Sequence, residues 1–215
     1  VAELNINNLN FSEFFSYDEC VSEKNQKSKT VSNAPATWSG GGKMFPFKNG
    51  KIIFTIGEYN DRVRAQDKNS MFGKIFLLDL ITKEYELISM GHRNQLSLVF
   101  HPTTADLWAT ENAPQGGDEA NIIRAGSNYG WPVASYSRQY GGPPASETPW
   151  IAGFEEPEVV WWPSVAPSGM TFYTGEHFPA WQGDLFVGSM RVGRLEHTGN
   201  LQRIVFNRRG QEIRR

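Results

Sequence analysis

The sequence is short of most features that give away a fold or a chemistry at a glance. It has a single cysteine, Cys20, so an intrachain disulfide and a cysteine metal cluster are both excluded, and the redox compartment stays open. No apolar run approaches the roughly 18 residues that a membrane-spanning helix needs. The polar segment opening at Val1 lacks a charged-then-apolar signal pattern, so no signal peptide is visible and no membrane partner is expected. Lysine and arginine together number 21 against 23 aspartates and glutamates, with no basic stripe of the kind that tracks a phosphate backbone. Nucleic acid is therefore not an expected partner. Among the histidines, His101, His177 and His197 lack metal-ligand spacing and read as structural or surface residues. Helical periodicity is also hard to find.

What is present is β-structure. Hydrophobic residues make up 39% of the chain and aromatics 13%, enough for a sizeable core in one domain spanning 1–215. Three runs resemble one another: KIIFTIGE at 51–58, DLWATEN at 106–112 and DLFVGSM at 184–190. Each follows a turn and an earlier strand, at 43–47, 97–100 and 169–173. After the first run comes a hairpin of GKIFLLDL (73–80) and EYELIS (84–89), and after the third a pair, GRLEHTG (193–199) and LQRIVF (201–206). The second continues only through ANIIRAG (120–126) before the chain turns at NYGWP (128–132), and a leading strand falls near 9–15. Repeated units of up to four strands predict an all-β protein, a β-propeller of about three blades plus a flanking strand. A β-sandwich is the alternative. Because a propeller closes with roughly four to eight blades, the expectation is a partial propeller. The absent initiator methionine and the basic end RRGQEIRR read the same way. Open edges would also permit a homodimer.

In a propeller, chemistry sits on loops at one end of the axis. The loop at 58–67, EYNDRVRAQD, alternates acids with arginines, and Arg191 and Arg194 follow the third run. The loop at 111–132, ENAPQGGDEANIIRAGSNYGWP, supplies carboxylates and irregular backbone, which suits a calcium ion seeking roughly six to eight oxygens. The plainer alternative is that its glycines make turns and its acids are solvated. His92 beside Arg93 would suit a general base next to an electrostatic clamp, or a satisfied hydrogen-bonding histidine. Trp161 and Trp162, like Trp131, would line a flat pocket or fill an inter-blade core.

Several of these motifs together, GHRN (91–94), HPTTADLWATEN (101–112), PQGGDEANIIRAGSNYGWP (114–132), WWPSVAPSGMTFYTG (161–175) and FPAWQGDLFVGSM (178–190), resemble the soluble quinoprotein glucose/sorbosone dehydrogenases, also called aldose sugar dehydrogenases. The resemblance runs from about 40 to about 200. It implies a six-bladed propeller, periplasmic or secreted, that binds pyrroloquinoline quinone (PQQ) and calcium and oxidises the anomeric carbon of aldose sugars to lactones. By the same resemblance Arg93 and Asn94 would face the quinone, with Arg93 polarising it, and the carbonyls of Ala113 and Pro114 would hold its calcium. Asp118 would order that loop, Trp162 would lie against the cofactor, and Arg191 would sit near its carboxylates. A second calcium would use Glu119 and Tyr129.

The chain departs from the family pattern in places. The catalytic histidine falls at Ser39, in TWSGGGKM (37–44), and a serine without an adjacent base has far too high a pKa to accept the sugar proton. Gln95, Leu96 and Ser97 replace a Pro-Gln-Gly, Asn112 stands where glutamine or histidine is common, and the paired arginines of the family are expected beyond Arg215. Two readings follow: a quinone- and calcium-dependent sugar dehydrogenase, or a non-catalytic, calcium-stabilised propeller that binds carbohydrate or protein.

Overall fold

The structure is a computed structural model, and it describes residues 1–20 and 38–215. The described residues form β-strands, with two short 3-10 turns at Arg62–Gln66 and Pro179–Trp181 and no α-helix. Strands β1 (Ala2–Asn5) and β2 (Asn10–Glu13) make a separate hairpin. Three antiparallel four-stranded sheets then follow as propeller blades. The first contains β3 (Gly41–Phe47), β4 (Lys51–Ile56), β5 (Lys74–Asp79) and β6 (Tyr85–Met90). The second contains β7 (Gln95–Phe100), β8 (Leu107–Glu111), β9 (Asp118–Ile123) and β10 (Val159–Trp161). The third contains β11 (Pro167–Phe172), β12 (Leu185–Ser189), β13 (Asn200–Phe206) and β14 (Glu212–Arg214). The leading strands of the blades, β3, β7 and β11, lie side by side.

One predicted hairpin and one missed strand are corrected. In the third blade, 193–199 is a turn: Thr198 Oγ1 accepts the Val192 N–H at 2.9 Å and donates to the Leu195 carbonyl at 2.7 Å, which curls the segment on itself. The outer partner of β13 is β14 instead. In the second blade the outer strand does exist, but it is β10, reached after an excursion through residues 124–158. The predicted leading strand is β2, paired with β1 rather than with a blade.

Apolar faces between blades supply the core. Ile53, Ile75, Leu98, Leu107, Ala109, Ile123 and Tyr129 fill the gap between the first two blades. Trp108, Val159, Trp161, Phe172, Leu185, Val187 and Ile204 fill the next. Alternation along a strand sends neighbours to opposite faces, and it separates the paired tryptophans. Trp161 is 1% exposed in the core, whereas Trp162, just past the end of β10, is 54% exposed. On the other face of the first blade, Val1, Phe14 and Phe15 pack over a cluster of Phe54, Met71, Phe76 and Leu78. Beside it, Lys74 is fully buried, and its ammonium donates to the carbonyls of Arg64, Ala65 and Phe72 at 2.7–3.1 Å. Those bonds pin the 3-10 turn to β5.

Candidate functional site

The loops leaving the blades at one end enclose a cleft of about 550 Å³. Ten of the residues singled out above line it: Ser39, Arg93, Asn94, Asn112, Ala113, Pro114, Asp118, Trp162, Arg191 and Arg194. Glu119 and Tyr129 do not; they border an adjoining void of about 20 Å³, room for one water-sized species.

Arg93 is the most elaborately held. Its backbone N–H donates to Glu111 Oε2 at 2.7 Å, and its Nη1 donates to the Asn112 carbonyl at 2.7 Å. Its guanidinium lies 5.6 Å from the centre of the Trp131 ring, which Arg62 also approaches, at 5.2 Å. Glu111 is in turn fixed by His92 Nδ1 at 3.0 Å and by Asn121 Nδ2 at 3.3 Å. His92 is 0% exposed; its Nε2 meets Ser89 Oγ at 2.9 Å and its ring stacks on Tyr129. It therefore buttresses Arg93 from behind and does not line the cleft. Asn94 joins the first two blades by accepting the Gly41 N–H on Oδ1 at 3.0 Å.

Asp118, at the start of β9, bonds its own loop to the next blade. Oδ1 accepts from the Ala113 N–H at 2.9 Å and Ser164 Oγ at 3.1 Å, while Oδ2 accepts from the N–H groups of Val165 and Ala166 at 2.8 and 2.7 Å. Burial pushes its carboxyl up, and the four donors pull it back. Trp162 is steered by Nε1 donating to the Tyr136 carbonyl at 3.1 Å and by contact with Gly116. A Cβ on Gly116 would fall 2.5 Å from the indole, so only glycine allows the ring to lie there. Ser39 is buried at the rim with φ at 69°, held by its carbonyl accepting the Tyr59 N–H at 3.1 Å.

The donor set suits an anionic ligand with a cation. Arg93, Arg191 and Arg194 line the walls, and Asp118 is the one carboxylate among the described lining residues. The carbonyls of Ala113 and Pro114 accept no hydrogen bond from described residues, and Asn112 Oδ1 is buried without a partner. Oxygens left unpaired this way are what a hard cation takes up. No cluster of three or more His, Cys, Asp or Glu able to hold a metal occurs among the described residues. A cation here would depend on carbonyl and amide oxygens. At the small void, burial and the neighbouring Glu111 push the Glu119 carboxyl well up, and one amide, Asn121 Nδ2, serves both carboxylates. A cation there would relieve the repulsion. Burial also raises the Tyr129 phenol, whose hydroxyl donates to the Ile122 carbonyl at 2.6 Å.

Several lining or supporting residues had no distinct sequence signal. Glu111 and Asn121 sit in strands where polar positions read as solvent-facing, yet both are buried. Gln115 Oε1 accepts from the Gly141 N–H at 3.0 Å and Arg194 Nη2 at 3.3 Å, which folds the 124–158 excursion back as a wall carrying Tyr140. His101 instead packs edge-on against Phe172 and is structural, and His177 and His197 are exposed.

Residues 19–214 match the family described as Glucose / Sorbosone dehydrogenase. Aldose sugar dehydrogenase YliI of Escherichia coli is 36% identical over 166 residues, covering 70% of this chain and 45% of that protein. Quinoprotein glucose dehydrogenase B of Acinetobacter calcoaceticus is 34% identical over 91 residues, 37% of this chain and 19% of that one. The crystal structure of the soluble aldose sugar dehydrogenase of Escherichia coli in the apo-form superposes with a TM-score of 0.70 at 31% identity, covering 81% of this chain and 52% of that chain. The chain thus spans less than half the length of the curated relatives it matches.

Proposed function

Since the chain belongs to the glucose/sorbosone dehydrogenase family, we propose that the protein carrying it oxidises aldose sugars at the anomeric carbon to lactones, with PQQ and calcium. The observation that carries this reading is the convergence of Arg93, Asn94, Asn112, Asp118, Trp162 and Arg191 on one cleft beside the unclaimed carbonyls of Ala113 and Pro114. Bound there, the quinone would supply a two-electron acceptor and calcium a Lewis acid that favours its reduction. Arg93 and Arg191 would bind its negative charge, and Trp162 would present a flat face to it. Asp118 fixes the Ala113 N–H and so the direction of the loop carbonyls. Glu119 and Tyr129 would border a second calcium. Placement in the periplasm or outside the cell belongs to the same proposal.

Ser39 supports a second reading, a calcium-stabilised propeller that binds carbohydrate or protein without turnover. No histidine lines the cleft among the described residues. The test is calorimetric titration of chelator-treated protein with calcium and then PQQ, followed by dye-linked sugar oxidation. Binding of both with turnover supports the dehydrogenase. Calcium binding without quinone binding overturns it in favour of the second reading.

A further inference from the structure

Trp38, at the entry to the first blade, and Tyr140, on the excursion between β9 and β10, bring two aromatic rings together on the wall of the cleft. Their ring centres lie 5.7 Å apart and their planes meet at 37°. The rings are 41% and 42% exposed, whereas Arg93 and Asp118 on the floor of the cleft are buried. The pair therefore stands at the mouth. Rings left this open gain only part of the stabilisation that burying an aromatic brings, so packing alone gives little reason for them to be there.

The backbone beside each ring is pinned. Ser39 and Gly40, which follow Trp38, accept the N–H groups of Tyr59 and Gly57 at 3.1 and 2.9 Å. Tyr140 sits in a tight turn, in which the Gln139 N–H donates to the Pro143 carbonyl at 2.9 Å and the Gly142 N–H to the Gln139 carbonyl at 3.1 Å. The Gly141 N–H donates to Gln115 Oε1, and the Gln115 carbonyl takes the Arg138 N–H at 3.0 Å. The turn is thereby tied to the loop that carries Ala113 and Pro114. Both rings are held in place before a ligand arrives, which lowers the entropy lost on binding.

We propose that Trp38 and Tyr140 form a stacking platform for the second ring of an aldose disaccharide or longer chain, whose reducing-end ring lies on the cleft floor. This rests on the reading of the cleft as a sugar site. A pyranose with equatorial hydroxyls has apolar C–H faces and a polar rim. An aromatic face edged by a hydroxyl or an indole N–H matches both. The oxidised carbon has to reach the groups on the floor, so a ring at the mouth belongs to a further sugar unit. Trp162, also exposed at the cleft, is held separately by the Tyr136 carbonyl and Gly116.

The test uses methyl β-cellobioside and methyl β-glucoside, whose blocked anomeric carbons prevent turnover. Each is titrated calorimetrically into the calcium-treated protein, with and without PQQ. The cellobioside should bind about three- to tenfold more tightly than the glucoside, the range of one or two good aromatic contacts. Trp38→Ala and Tyr140→Ala should each bring that ratio toward one, and Tyr140→Phe should keep it. In dye-linked oxidation the alanine changes should erode the preference for cellobiose over glucose by the same factor, through KM rather than kcat, as expected of a contact away from the reacting carbon. Equal affinities in wild type, a preference that survives both alanine changes, or binding of neither glycoside overturns the proposal. A wild type that prefers the cellobioside yet oxidises no sugar refutes the dehydrogenase reading and leaves the platform standing. One that oxidises both sugars with equal KM, before and after the alanine changes, refutes the platform alone.

Discussion

Replacing Asp118 by asparagine should loosen the cleft and the blade junction at once. Each carboxylate oxygen takes two donors: Ala113 N–H and Ser164 Oγ on one, the N–H groups of Val165 and Ala166 on the other. A carboxamide has one acceptor oxygen, so it can keep one pair only. Its best orientation keeps Val165 and Ala166, lets the Ser164 hydroxyl rotate to accept, and strands the Ala113 N–H. One part-buried orphaned donor costs toward the lower end of about 1–3 kcal/mol, and the surviving bonds lose their charge assistance. A total of about 2–4 kcal/mol follows, against about 5–15 kcal/mol for a whole domain.

Urea unfolding should show that loss as a lower midpoint at unchanged slope. Calcium affinity should fall about tenfold or more, equivalent to about 1.4 kcal/mol, because the freed N–H belongs to the residue whose carbonyl would hold the proposed ion. A stability change below about 0.5 kcal/mol with unaltered calcium affinity would refute the argument, since that is the range of an ordinary surface substitution.

Three further outcomes are expected. In Gly57→Ala the new Cβ would fall 2.0 Å from the Ser39 carbonyl oxygen; the rim must move, so quinone affinity by calorimetry should drop and stability fall by about 1–3 kcal/mol. Unchanged binding would mean that Ser39 is not fixed by this contact. Trp161→Ala should cost about 3–5 kcal/mol in denaturant unfolding as it opens the core between the second and third blades, whereas Trp162→Ala should leave stability nearly unchanged and weaken quinone binding. Lys74 gives a pH signature. Burial lowers its pKa to about 8 in the fold, against about 10.4 when unfolded. Between those values the unfolded chain binds more protons, so this group makes stability rise with pH. Thermal melts should therefore show wild type gaining on Lys74→Met from pH 8 to pH 10, and parallel curves would disprove it.

The first blade was legible because its inner strands are short apolar runs, KIIFTI and KIFLLD, bounded by turn signals. The outer strands of the other two blades were not. Glu212–Arg214 is a polar three-residue strand, and Val159–Trp161 is equally short and follows a long excursion. Such strands are made by the pairing edge they join, which no local pattern records. In the cleft, residues inside recognisable motifs could be named in advance. Glu58 appeared only as one charge in an acidic and basic loop, because its distinction is a carboxylate without hydrogen-bond partners among the described residues, a property of the packed surroundings. Glu111 and Asn121 were hidden for a related reason: alternation marks polar strand positions as outward, and here they turn inward to hold His92, Arg93 and Glu119.

The cleft is built from bonds that cross between blades. Asn94 of the second blade takes the Gly41 N–H of the first, the Glu58 N–H reaches the Arg93 carbonyl, and Asp118 of the second blade receives Val165 and Ala166 at the entrance to the third. Each bond fixes a cleft residue and clamps two sheets together. Changes in blade stacking must therefore reach the site, even from positions such as Trp161 that do not line it. The converse also holds: a ligand that binds only the assembled cleft stabilises the stack by mass action. Calcium and quinone should raise the unfolding midpoint of wild type, and should do so less in Asp118→Asn, where one of these clamps is weakened.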